Sequence, residues 1–197
     1  PNLKLLGLLN VEYLAAAFPM DWPGLTLKEE IGDTFIYRNE AVLPRAWVVQ
    51  QTVPLETAWL EQLAELPLES VAAVETGPYL DPPGQDATLR PPVPVTVTHY
   101  TTNRIEIEVE PIGEPGGWLV LSEIWYPGWQ ATVNGRWQPV AQVNGLLRGV
   151  YLDPPGPYQI TLAYRPRSLV WGGWASTVTG VSITTIILWF LWRIARG

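Results

Sequence analysis

The stretch 168–192 carries no charged side chain and no histidine. A helix needs about 20 predominantly apolar residues to cross a hydrocarbon core of roughly 30 Å. Trp171 and Trp189 stand near the two ends of the stretch, 18 residues apart, and at a rise of 1.5 Å per residue this separation is roughly 27 Å. Because indole rings favour the level of the lipid headgroups, the sequence predicts a transmembrane helix over 168–192, followed by a short tail over 193–197.

Small residues within this stretch, such as Gly172, Gly173 and Gly180, suit close packing against other membrane helices. We therefore expect one helix of a bundle, with membrane lipid and the remaining transmembrane helices of a longer protein as its partners. Several Ser and Thr residues make the stretch only moderately hydrophobic, which leaves a buried core helix as the alternative. The chain begins at Pro1 with no leader segment, so we expect it to be the C-terminal piece of that longer protein.

Charge is distributed unevenly along the chain. All 19 acidic residues fall at or before Asp153, and residues 1–164 hold only eight Lys and Arg, a balance of −11. Binding to nucleic acid requires a basic surface, so this balance argues against a nucleic-acid partner.

The chain has no cysteine, which excludes disulfides and thiolate chemistry. His99 is the single histidine, and the scattered acids lack metal-ligand spacing, so we predict no metal and no cofactor.

The first part of the chain, residues 1–77, predicts an α+β subdomain. Its opening apolar run indicates a short helix that leads into a strand, and further strands are predicted over 34–37, 46–53 and 71–75. Residues 55–66 predict a helix, because Trp59 and Leu63 recur on one face at helical spacing. Six prolines fall between residues 77 and 94, so we predict a stiff linker over 78–94.

The pattern over 95–166 predicts an all-β sandwich. Ile105, Ile107 and Val109 alternate with glutamates, as in a strand with one buried and one wet face. The dipeptides Asn-Gly at 134–135 and 144–145 predict tight hairpins, because both residue types tolerate a positive φ. The predicted fold class is thus an α+β subdomain, then a β-sandwich, then one C-terminal transmembrane helix.

The sequence shows no convincing catalytic set. His99 stands alone, without the Gly-x-Ser-x-Gly turn of a hydrolase. Glu106, Glu108 and Glu110 share one strand face at a spacing that a glycosidase pair would accept, but a solvated strand face is the simpler interpretation. We therefore predict no catalytic residue in this segment and no turnover by it alone.

Aromatic residues cluster around a predicted sharp turn at Pro127 and Gly128, namely Trp125, Tyr126 and Trp129. Flat aromatic faces stack on sugar rings, so one interpretation is a carbohydrate-binding surface. The other is that these rings fill a small sandwich core, where aromatic side chains bury large apolar areas. For Trp129 we expect the core.

A resemblance to a known family is carried by an ordered series of short motifs over nearly the whole chain. They are NVEY at 10–13, IYRN at 36–39, LPRA at 43–46, LVLSE at 119–123, YPGW at 126–129, VNG at 133–135, NGLLRGV at 144–150 and YRP at 164–166. This series resembles the C-terminal end of YfhO-like bacterial membrane proteins, which close with a hairpin series and a last membrane helix.

The resemblance implies a multi-pass protein of the bacterial cell membrane, similar to GT-C glycosyltransferases, which take sugars from lipid-phosphate carriers. Residues 1–166 would lie outside the cytoplasm and the C-terminus within it. This segment would have an accessory or acceptor-binding role, with a lipid-linked sugar or a cell-envelope glycan as partner. The candidate carbohydrate-binding residues are Trp125, Tyr126, Trp129, Asn144 and Arg148. The alternative function is a non-enzymatic, membrane-anchored β-domain protein that binds carbohydrate or cell wall.

Overall fold

The computed structural model describes residues 2–75 and 89–196, and it confirms the predicted fold class. β-Strands are the most abundant element of the described chain, with two short helices early and one long apolar helix at the C-terminal end. The helices are α1 (Leu3–Leu8), α2 (Trp59–Glu65) and α3 (Arg167–Arg196). Helix α2 confirms the predicted helix over 55–66 but starts later, at Trp59. Before it, the backbone N–H of Glu56 donates to the side-chain oxygen of Gln62 at 3.0 Å.

The strands form a small sheet and a large curled sheet. The small sheet comprises β1 (Tyr13–Ala16), β2 (Leu25–Ile31) and β3 (Thr34–Asn39), in the order β1-β3-β2. The large sheet comprises β4 (Ala46–Val49), β5 (Gln51–Pro54), β6 (Val71–Val74), β7 (Val93–Tyr100), β8 (Arg104–Val109), β9 (Gly117–Ile124), β10 (Trp129–Val133), β11 (Arg136–Gln138), β12 (Ala141–Val143), β13 (Leu147–Leu152) and β14 (Tyr158–Tyr164). Its 11 strands run in the order β11-β10-β14-β8-β7-β4-β9-β13-β12-β6-β5.

The large sheet curls at β7 and β4, so that its two halves face each other across an apolar core. Strands β4, β9 and β13 of one half and β8, β10 and β14 of the other contribute buried residues to this core. The predicted alternation of β8 is confirmed, because Ile105, Ile107 and Val109 are buried there. Burial of such alternating apolar faces is what stabilises a two-layer β arrangement.

A second core lies on the outer side of the β4-containing half, where α1 and α2 cover it. Trp47 of β4 and Trp118 of β9 pack there with Leu8 of α1 and Leu63 of α2. Strands β4 and β9 are therefore buried on both faces, which explains why their sequences AWVV and GWLVL are apolar without alternation.

Strands from both sides of the proline-rich stretch share this one large sheet. Strand β4 pairs with β7 and β9, and β6 pairs with β12. Of the predicted linker over 78–94, residues 78–88 lie outside the described residues, and β7 begins at Val93. The domain limits drawn at 77 and 95 stay a prediction, since the sheet itself continues across them.

Two strands of the structure differ from the sequence predictions, and the two predicted hairpins are present. The single strand predicted over 46–53 is two strands, because the chain bends at Gln50, whose side chain donates to the carbonyls of Gly113 and Gly116, both at 3.2 Å. Strand β2 has no counterpart among the predicted strands, since it is exposed along nearly its whole length and lacks a clear apolar face. Both Asn-Gly hairpins are confirmed, with φ of 50° at Asn134 and 49° at Asn144.

Helix α3 begins one residue before the predicted segment and continues to Arg196, while Gly197 lies outside the described residues. Its portion Trp171–Arg196, 26 residues, is long and apolar enough to cross a membrane, and none of it is buried. This exposure contradicts the alternative of a buried core helix. Five hydroxyls each donate to the carbonyl four residues earlier at 2.8 Å, so they are satisfied within the helix. The helix is thus consistent with anchoring in a membrane.

Candidate functional site

The turn between β9 and β10 lies against the end of β14, directly before α3. Gly128 has a φ of 111°, and a Cβ there would stand 3.1 Å from Cα of Pro166. The backbone N–H of Arg165 donates to the carbonyl of Gly128 at 2.7 Å. Only glycine adopts this φ without strain, so Gly128 lets the YPGW turn dock closely on the segment that enters the helix.

A cleft of about 500 Å³ opens at this contact, and we call it the junction cleft. Its lining residues come from the YPGW turn, the end of β14 and the start of α3: Tyr126, Pro127, Gly128, Trp129, Gln130, Tyr164, Arg165, Pro166 and Ser168. The ring of Tyr164 lies 5.5 Å from that of Trp129 and 6.3 Å from that of Tyr126, both tilted. Arg165 also lines the cleft, so aromatic residues and one basic residue surround the same space.

Arg148 lies behind Trp129, on the protein side of the ring. Its Cζ is 3.9 Å from the centroid of the Trp129 ring, a cation–π contact that is strongest when it is shielded from water. The side chain is only 6% exposed. Its Nε donates to the carbonyl of Ile124 at 3.2 Å and its Nη2 to Oε2 of Glu123 at 3.1 Å. Arg148 thereby ties the Trp129 ring to the end of β9.

Glu123 is the centre of a small charged network. Besides Arg148, it accepts from Nη1 of Arg45 at 3.1 Å and from the hydroxyl of Tyr100. The hydrogen bond that Tyr100 donates to Glu123 raises the pKa of the Tyr100 phenol, and desolvation by burial adds to this. Burial lowers the pKa of Arg148, and the adjacent Glu123 carboxylate opposes that shift. The carboxylate therefore keeps a buried guanidinium charged beneath the wall of the cleft.

The structure brings three of the five candidate residues together at the cleft, namely Tyr126, Trp129 and Arg148. Tyr126 is 61% exposed, whereas Trp129 is half-buried, packs on the sandwich core and also lines the junction cleft. The expected packing of Trp129 on the core is therefore seen, and the carbohydrate-binding interpretation stays a prediction. Trp125 is half-buried, and its indole N–H donates to the carbonyl of Val140 at 3.1 Å. Arg148 is buried and contacts protein groups.

Asn144 lies elsewhere, against β6. Its side-chain oxygen accepts from the backbone N–H of Ala73 at 2.8 Å, and its backbone N–H donates to the carbonyl of Ala73 at 2.7 Å. Asn144 is fully buried, so its side chain is not open to a ligand in this structure. Its role is to hold the β12–β13 hairpin on β6, across 71 positions of sequence.

Several residues of the site are not among the candidates that the sequence indicated, namely Arg45, Tyr100, Glu123 and Arg165. Arg45 and Glu123 both belong to motifs that carry the family resemblance, but the two residues are 78 positions apart. Only the pairing of β4 with β9 shows that they meet. In the sequence, Arg165 is recognisable only as a basic residue just before the predicted membrane segment. Nothing in the sequence indicates that it lines a cleft.

Within residues 2–75 and 89–196, no group of three or more His, Cys, Asp or Glu side chains is placed to hold a metal ion. Fold and site together define an acidic β-sandwich with one C-terminal candidate membrane span and an aromatic cleft where the two meet. In comparisons with protein-family models, curated proteins and solved structures, nothing matches this chain.

Proposed function

We propose that this chain is the C-terminal extracytoplasmic part and last helix of a multi-pass membrane glycosyltransferase that uses lipid-phosphate-linked sugars. Its role there is accessory, namely to bind the headgroup of a lipid-linked sugar in the junction cleft. The observation that carries this proposal is the position of the cleft, which lies between the sandwich and the first turn of α3. A headgroup whose lipid stays in the bilayer reaches such a cleft without leaving the membrane.

The lining of the cleft suits the two chemical parts of such a headgroup. The rings of Tyr126, Trp129 and Tyr164 offer apolar faces for a sugar ring. The guanidinium of Arg165 suits a phosphate, because its planar fork of N–H donors matches phosphate oxygens. A volume of about 500 Å³ lies within the usual range of roughly 300–1,000 Å³ for small-molecule sites.

Binding is tested with the full chain in lipid nanodiscs, using a polyprenyl phosphate that carries one hexose as the probe. Affinity is measured for the wild type, for Tyr126→Ala and for Arg165→Gln. Loss of a hydrogen bond to a charged group costs about 1.5–3 kcal/mol, so Arg165→Gln is expected to weaken binding roughly tenfold or more. The comparison ligand is the same polyprenyl phosphate without its sugar. Its affinity for Tyr126→Ala should equal its affinity for the wild type.

Trp137→Ala is the matched control, because this Trp is 67% exposed and does not line the junction cleft. It should bind the probe as the wild type does. If Tyr126→Ala and Arg165→Gln bind the sugar-bearing lipid as tightly as Trp137→Ala, the cleft is not the binding site.

A second candidate function is a non-enzymatic, membrane-anchored domain that binds a cell-envelope glycan. It is favoured by a second cleft of about 450 Å³ at the other end of β10, whose lining includes Arg136, Gln138, Asp153 and Tyr158. Soluble envelope glycan separates the two candidates. Binding that needs no lipid and is lost in Arg136→Ala, but not in Tyr126→Ala, would favour this second function.

A further inference from the structure

Two turns of the sandwich flank the point where β14 passes into α3. The backbone N–H of Tyr164, the last residue of β14, donates to the carbonyl of Asn103 in the β7–β8 turn at 2.9 Å. The next N–H, that of Arg165, donates to Gly128 in the β9–β10 turn at 2.7 Å. The end of the sandwich that carries these two turns is therefore the end next to the candidate membrane span. We call it the basal face, and it comprises Arg45, Tyr100, Thr102, Arg104, Ile124, Tyr126 and Arg165.

The basal face exposes apolar and aromatic side chains. Ile124 is 63% exposed, Tyr126 61% and Tyr100 48%. Single exposed apolar residues are ordinary on a protein surface, but a group at one end of a domain marks a contact surface. Tyrosine is also a residue that concentrates at membrane–water interfaces, where its ring is apolar and its hydroxyl is wet.

The charge of the basal face is opposite to that of the rest of the domain. Residues 1–164 have a balance of −11, yet the most exposed charges here are basic, with Arg45 50% and Arg104 49% exposed. The acid Glu123 is 20% exposed and bound by two arginines, and Glu106 is paired with Arg104 at 2.7 Å. A basic, aromatic end on an acidic domain complements anionic lipid headgroups.

The distance along α3 puts the basal face at the level of the headgroups. Trp side chains favour the edge of the hydrocarbon core, and Trp171, the first Trp of α3, is 73% exposed and suits that position. Helix α3 starts four residues earlier, at position 167, which is roughly 6 Å higher at 1.5 Å per residue. The headgroup layer is about 5–7 Å thick on each side, so the chain enters the sandwich while it is still in or just above that layer.

We propose that the basal face rests on anionic headgroups of the bilayer that holds α3, through Ile124, Tyr126 and the basic side chains around them. The sandwich is then held upright on the membrane, with the junction cleft open sideways at headgroup level. This contact with lipid needs no sugar. The proposal can therefore be tested independently of the proposed function.

The test uses the full chain in vesicles of phosphatidylcholine and phosphatidylglycerol that contain no lipid-linked sugar. Because the chain has no cysteine, single-cysteine variants label at one site only. A fluorophore is attached at Thr102→Cys, an exposed position of the basal face, or at Gln159→Cys on β14 as the control. Gln159 is exposed and five residues before Tyr164, so it lies roughly 17 Å further from the span at 3.4 Å per residue.

Quenching by lipids with a nitroxide at the headgroup is expected at position 102 and not at position 159. Adding Ile124→Ser and Tyr126→Ser to the Thr102→Cys variant should remove most of the quenching, as should vesicles of phosphatidylcholine alone. Passive tethering by α3 would instead give quenching that is insensitive to both changes. That result, or an unquenched label at position 102, would overturn the proposal.

Discussion

Arg45 and Arg148 both contact Glu123 at 3.1 Å, but they differ in burial, and this pair allows a direct test of how the network stabilises the fold. The side chain of Arg148 is 6% exposed and that of Arg45 is 50% exposed. We consider Glu123→Ala, which removes the carboxylate from both arginines, beside Arg45→Ala, which removes only the exposed partner.

The expected magnitudes follow from burial. Removing one partner of a buried ion pair costs about 3–5 kcal/mol, because the other charge is left without compensation in a medium that solvates it poorly. Glu123→Ala leaves the Arg148 guanidinium in that state, with Nη1 already buried and without a hydrogen-bond partner. Exposed ion pairs contribute about 0–1 kcal/mol, so Arg45→Ala should cost no more than about 1 kcal/mol despite its equal distance.

A double variant, Glu123→Ala with Arg148→Met, sharpens the test. Met fills much of the space of Arg148 without a charge, so the double variant should be more stable than Glu123→Ala alone. Arg148→Met by itself should have an intermediate cost, since it loses the contact with the Trp129 ring and the bond to Ile124. Glu123 then keeps Arg45 and Tyr100 as partners.

The free energy of unfolding is measured for the full chain in detergent, with urea as denaturant. Near-ultraviolet circular dichroism follows the packing of the aromatic side chains, and the slope with urea is compared among variants so that midpoints translate into free energies. Two results would refute the reasoning. One is a cost for Arg45→Ala that equals that of Glu123→Ala, and the other is a double variant less stable than the Glu123→Ala single variant.

Three further predictions concern the span, the pH dependence and the packing of α1. Ile186→Arg should hinder membrane insertion by roughly 2.5–3.5 kcal/mol, and unchanged spanning in a glycosylation-mapping reporter would contradict this. The raised pKa of Tyr100 means that the folded protein keeps a proton that the unfolded chain releases near its ordinary value of 10.0. The stability that this proton contributes is therefore complete below about pH 10 and is lost as pH rises further, and Tyr100→Phe should flatten that decline in urea titrations. Gly7→Ala should destabilise the fold by about 1–3 kcal/mol or more, because its Cβ would overlap the backbone carbonyl of Ala41 in the facing loop. Gly113→Ala, with open space around it, is the control, and equal melting of the two variants would disprove this packing argument.

The features that the sequence predicted correctly are those with a local cause. The α3 helix follows from an uninterrupted stretch without charge, and β8 from a strict alternation of apolar residues with glutamate. The two Asn-Gly hairpins depend on only two residues that accept a positive φ. In each case the physical preference acts over a few neighbouring residues, so the pattern can be recognised without knowledge of the rest of the chain.

The tertiary structure alone decided which distant segments meet. Strand β4 became a central strand of the large sheet because it pairs with β7 and β9, and no periodicity within residues 46–49 indicates those partners. The same pairing brings Arg45 to Glu123, and the return of β13 beside β9 brings Arg148 to Trp129. The sequence by itself determined a candidate membrane span, an acidic β-rich domain before it and an aromatic turn within that domain. Only the tertiary structure placed this turn against the start of the span. The surroundings of Trp129 and the burial of Arg148 depended on strand pairings across many tens of residues. Burial is a property of the assembled layers and not of any one segment.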